Sequence, residues 1–127
     1  MNSSSMLQVV AGVLTRRGRL LLTQRPPDQA NRELWEFPGG KVERGESHPC
    51  ALQRELRKEL GFTDLLVEDC LESVALDGIE VHFYAVATSE VPLLLEHVAL
   101  GWYRPQEALT LALATRDRAF LELSPTI

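Results

Sequence analysis

The chain has 127 residues, enough for one domain that buries roughly two thirds of its unfolded surface. Its composition, 45% hydrophobic and 24% charged, excludes disordered and collagen-like classes. A formal net charge of −5 repels polymeric nucleic acid unless basic residues cluster locally, so a phosphate-bearing partner requires a cation at its site.

Cys50 and Cys70 have neither the density of a disulfide scaffold nor zinc-site spacing, and read as reduced thiols of a cytoplasmic protein. The first residues, Met1 to Ser5, lack a signal-peptide pattern, and no apolar run is long enough to span a membrane. The expectation is one domain over residues 1–127, with no internal repeat.

Leu7 to Leu14 is rich in β-branched residues and ends at the charged turn T-R-R-G-R, before a second apolar run from Leu20 to Leu22. This predicts a β-hairpin. Gln24 to Arg32 carries two prolines and no periodicity, which predicts a loop. Arg25 stands where the strand enters it. A lone arginine is ordinarily solvated, but one at a strand end beside a phosphate site serves as a phosphate fork.

Leu34 to Lys41 reads L-W-E-F-P-G-G-K, a bulky segment stopped by Pro38 and two glycines. Glycines allow positive φ or close approach by another group, and such a corner can aim a carbonyl.

Pro49 to Leu60 predicts a helix, capped by Ser47 or Glu46 and ended by Gly61 at C′. At 100° per residue, with Glu55 as origin, Glu59 lies at about 40°, Lys58 at about −60°, and Leu52, Leu56 and Leu60 at about 60°, 100° and 140°. The leucines form a core stripe and the two glutamates its edge. Small Ala51, on the same side, leaves room for another element or a ligand.

Strands are expected over Leu65 to Leu76 and Ile79 to Thr88, joined by the two-residue turn Asp77-Gly78. His82 lies on the second of them, without a spaced partner for metal. A loop over 89–97, a strand from Val98 to Tyr103, a helical turn from Pro105 to Ala108 and a terminal helix from Thr115 to Leu123 complete the chain.

Two carboxylates one helical turn apart can share an oxygen-liking cation such as Mg²⁺. The same spacing among arginines and lysines also describes a solvated salt-bridge face.

Gly40, Glu46, Arg54-Glu55-Leu56, Glu59 and Gly61-Phe62 match the Nudix box, G-x5-E-x7-R-E-U-x-E-E-x-G-U, where U is bulky and apolar. The chain resembles the Nudix hydrolases over residues 40–62. The lead-in L-W-E-F-P-G-G-K-V-E, the strand ending T-Q-R, and E-H-x-A-L-x-W from Glu96 to Trp102 extend the likeness toward the MutT-like nucleoside triphosphate pyrophosphohydrolases.

The resemblance implies an α+β fold, an α/β/α sandwich around a mixed sheet. It implies cleavage of a nucleoside triphosphate to the monophosphate and pyrophosphate by attack on the β-phosphorus, with Mg²⁺ or Mn²⁺ as cofactor. It assigns metal binding to Glu55, Glu59, Glu96 and the Gly39 carbonyl, with Glu55, Glu59 and Glu96 catalytic. Glu46 and Arg54 become an orienting pair. Arg25, Phe37, Lys41, Thr115 and Asp117 become substrate contacts, with Phe37 at the base and Asp117 able to accept from the exocyclic amine of cytosine or adenine. The partner is a small nucleotide, with neither a nucleic acid polymer nor a membrane, and the protein a monomer or homodimer.

Two residues depart from the pattern. Thr115 stands where MutT has a base-reading asparagine, which weighs against oxidised guanine as substrate. Lys58 stands where the box has glutamate, a change of two charge units beside Glu59 that weakens cation binding. The alternatives are a nucleotide-binding domain impaired by Lys58, or a Nudix hydrolase of another nucleoside diphosphate-X.

Overall fold

The structure is a computed structural model that describes residues 5–27 and 33–124. Residues 1–4, part of the expected leaderless start, and 28–32, part of the loop expected over Gln24–Arg32, lie outside the described residues, as do 125–127.

The first apolar run is divided between two sheets. β1 (Leu7–Val13) pairs in parallel with β7 (Ile79–Ala87), from Leu7↔Ile79 to Val13↔Ala85. After Leu14 the chain turns into β2 (Thr15–Arg16), whose hairpin partner is β3 (Arg19–Gln24). The predicted hairpin therefore exists, but most of its first strand belongs elsewhere. A parallel pairing joins residues about seventy positions apart, so no local turn signal announces it.

The segment from Trp35 to Lys41 also divides. β4 (Trp35–Glu36) joins β3, while β5 (Gly39–Lys41) lies antiparallel to β1, with Ala11↔Gly39 and Val10↔Gly40 in register. Phe37 and Pro38 carry the chain between the sheets, and the Gly12 N–H donates to the Pro38 carbonyl at 2.8 Å. β6 (Leu66–Leu76) and β7 meet at Asp77-Gly78, both at positive φ as a tight hairpin turn requires. One sheet runs β5-β1-β7-β6; the other runs β2-β3-β4, with β8 (Ala99–Tyr103) also on β3.

The helices are α1 (His48–Leu60), α2 (Pro105–Ala108) and α3 (Thr115–Leu123). Ser47 caps α1 by accepting the Cys50 N–H, worth about 1 kcal/mol, and Gly61 ends it at φ 72°. Successive residues of the inner strands serve opposite cores. Leu20, Leu22, Phe83, Phe120 and Leu121 form one cluster under α3, and Val10, Leu21, Leu52, Leu56 and Leu60 another under α1. Strands apolar on both faces give a sandwich with helices on either side, as expected. Ala51 is fully buried in the α1 cluster, so the room expected beside it is taken by the core.

Candidate active site

Glu55 and Glu59 are buried, at 5% and 7% exposure, on the edge of α1 that faces the glycine corner. Neither Gly39 nor Gly40 has positive φ; what requires glycine is contact. A Cβ on Gly40 would stand 2.6 Å from the Glu55 carboxylate, and one on Gly39 would collide with the Val10 carbonyl. The Gly39 N–H donates to Glu59 Oε1 at 3.3 Å. Burial first, and then the Glu55 charge, push the Glu59 carboxyl up to about 8.

Arg54 braces this corner. Its guanidinium grips Glu46 with two hydrogen bonds of 2.8 and 2.9 Å and donates to the Lys41 carbonyl at 3.0 Å. The pairing with Arg54 holds the Glu46 carboxyl down at about 2. Such a bidentate fork fixes the approach of the loop to α1, which is the orienting task expected of the pair.

The Lys58 ammonium does not swing away. It lies 3.3 Å from Glu55 Oε1 and 4.0 Å from Glu96 Oε1, and Glu55 is the main influence raising its pKa. Glu96, in the segment before β8, is half-exposed and meets this corner through that lysine.

Beside the carboxylates opens a cavity of about 390 Å³, lined among others by Arg25, Phe37, Gly39, Lys41, Thr115 and Asp117. The fold thus gathers around one cavity six residues that the sequence scatters over about ninety positions. Arg25 is paired with Glu36, its Nε at 2.8 Å from Oε1. Phe37 reaches the cavity differently from expectation. Its ring is 2% exposed and meets Phe83 and Phe120 edge-on, which leaves almost none of it to stack on a base. The Phe37 N–H donates to Asp117 Oδ2 at 2.8 Å. Burial, and then the Glu36 charge, push the Asp117 carboxyl up to about 7.

Glu36 is the residue that the sequence reading passed over. It pairs with Arg25 and lies 3.4 Å from His97 Nε2, so three charged or polar side chains converge where strand alternation only signalled a glutamate between aromatics. Its position two residues before Pro38, on the strand entering the corner, was the available signal.

Among the described residues no three His, Cys, Asp or Glu side chains form a ready-made metal cage. The donors nonetheless fit a hard divalent cation: Glu59 is buried, makes no ion pair among the described residues, and stands beside a second carboxylate. Such an ion completes its shell with water and phosphate oxygens rather than a full protein cage.

The chain matches the NUDIX domain over residues 6–123. It is 41% identical over 121 residues to the CTP pyrophosphohydrolase of Escherichia coli K12, covering 92% of this chain and 90% of that one. It is also 44% identical over 63 residues to an 8-oxo-dGTP diphosphatase of Haemophilus influenzae, under half of either chain. Its fold superposes on a MutT NUDIX hydrolase crystal structure from Burkholderia pseudomallei with a TM-score of 0.77, 29% identity, and coverage of 91% and 95%.

Proposed function

Because this chain belongs to the Nudix hydrolase family, we propose that it is a pyrophosphohydrolase of free nucleoside triphosphates, dependent on Mg²⁺ or Mn²⁺, that favours a cytosine base. The supporting observation is the buried pair Glu55 and Glu59, packed on a glycine corner that opens into a nucleotide-sized cavity.

Glu55, Glu59 and the Gly39 carbonyl would hold the metal, with Glu96 at the rim. A divalent ion there supplies charge neutralisation for the polyphosphate and orientation of the attacking water. The chain's own residues supply the rest. Arg25 and Lys41, both on the cavity wall, are the cations for the phosphates. Asp117 commits Oδ2 to the Phe37 N–H, which fixes the carboxyl and leaves Oδ1 for an exocyclic amine. Glu96, exposed and meeting the corner through Lys58, is the carboxylate assigned to take the proton from water.

Water attacks the β-phosphorus, the bond from that phosphorus to the α–β bridging oxygen breaks, and nucleoside monophosphate leaves. A panel of ribo- and deoxyribonucleoside triphosphates, run in ¹⁸O-water with each metal, tests this. Label in pyrophosphate with CTP or dCTP turned over fastest is expected; label in orthophosphate, or no turnover of any triphosphate, overturns it.

A second reading rests on Lys58, held against Glu55. It gives a nucleotide-binding domain with little turnover, in which Lys58→Glu creates activity that the parent lacks.

A further inference from the structure

Glu55 and Glu59 are not equivalent, although both are buried acids on one edge of α1. Glu55 Oε1 already has two cations of the chain beside it, Lys58 Nζ at 3.3 Å and an Arg54 nitrogen at 3.4 Å. Glu59 has none among the described residues, only the Gly39 N–H. The Lys58 ammonium also reaches toward Glu96, which enters from a segment 38 residues further along the chain, at 4.0 Å. An i,i+3 pair on an exposed helix face is ordinarily worth little. This one differs because Glu55 is only 6% exposed in its side chain and because a second carboxylate, from another element, shares the same ammonium.

We propose that Lys58 is a tethered cation occupying the position between Glu55 and Glu96, so that a divalent ion reaches Glu55 only by displacing it, while the Glu59 side of the corner stays open to metal. The inference rests on the metal-site reading given above. It makes Lys58 a positioning residue: its charge sets how many divalent ions the corner holds, and how tightly, without donating a ligand. In the metal-free protein the ammonium holds Glu55 and Glu96 together. When metal enters, it moves outward, and its 53% side-chain exposure leaves it free to do so. The distances exclude a solvated lysine without partners, and among the described residues Lys58 pairs with Glu55 and Glu96 but makes no ion pair with Glu59.

The test is Mn²⁺ binding to the full chain, read by the free-ion electron paramagnetic resonance signal, together with melting of the metal-free protein. The variants are K58M, R57M and E59Q. Arg57 is exposed on the same helix, one residue earlier, so R57M removes the same charge without touching the corner. K58M is expected to tighten Mn²⁺ binding at least fivefold, or add one bound ion, and to melt lower than the parent without metal. R57M stays within twofold. If K58M and R57M change Mn²⁺ affinity alike, Lys58 acts only as one surface charge and the proposal is overturned. E59Q separates the metal site from the tethered cation. If E59Q binds Mn²⁺ as the parent does, the metal-site reading fails; if E59Q loses binding while K58M is unchanged, only the tethered cation fails.

Discussion

Glu59 and Asp117 are two buried acids within one fold, both pushed up by desolvation, to about 8 and about 7, and both accepting a backbone N–H of the segment from Phe37 to Gly39. They differ in company. Glu59 faces another carboxylate across one helical turn, and on the proposed reading a cation completes its environment. Asp117 lines the cavity at the start of α3 with Thr115, and on the proposed reading a ligand's donor completes its other oxygen. On the proposed reading, the same burial penalty prepares one acid for metal and the other for a base. The neighbours decide which.

The comparison breaks most sharply at Glu59. E59Q should lower turnover of every accepted triphosphate by at least about a hundredfold, since it removes the negative charge on which cation binding depends. Without metal the same change should raise stability at pH 8 and above. A carboxyl whose folded pKa lies above its unfolded value binds more protons folded than unfolded between about 4.5 and about 8, so folding stability falls as pH rises through that window, and glutamine removes the loss. Melting curves at pH 5 and 8.5 check the sign.

Gly40→Ala attacks the other side of the pair. Its Cβ would press on the Glu55 carboxylate, and turnover should fall roughly thirtyfold, with a stability cost of about 1 to 3 kcal/mol measured by urea denaturation.

Asp117→Asn turns the acceptor proposed for the base into a group that also donates. Discrimination between CTP and UTP in kcat/KM should shrink about tenfold, in line with roughly 1–3 kcal/mol for a base-edge contact. The parent's stability relative to D117N should also fall as pH rises from about 4 to about 7, with a slope of at most about 1.4 kcal/mol per pH unit. The smallest effect belongs to Phe37. F37L should cost about 1–2 kcal/mol of stability and leave KM within twofold, because the ring packs on Phe83 and Phe120. A KM rise beyond tenfold would return Phe37 to the base.

Much of this was legible without coordinates. The helix from Ser47 to Gly61 was readable because cap, leucine stripe and C′ glycine are all local signals. The spacing of Gly40, Glu46, Arg54, Glu55 and Glu59 also carried the family. Asp77-Gly78 gave its hairpin for the same reason: both residues must take positive φ, and the sequence supplies types that do.

What the sequence could not give were the results of long-range packing. That β1 leaves its hairpin partner for β7, that the Phe37 ring goes inward while its N–H binds Asp117, and that Glu36 draws in both Arg25 and His97 depend on residues tens of positions apart. Lys58 shows the boundary most clearly. Its presence in place of a glutamate is a fact of sequence, whereas its position against Glu55 and Glu96 exists only because the segment before β8 folds back over α1. Composition and spacing determined which charges the corner contains. Tertiary structure decided which of them are already paired, because pairing in a buried corner is set by distance and desolvation rather than by order along the chain.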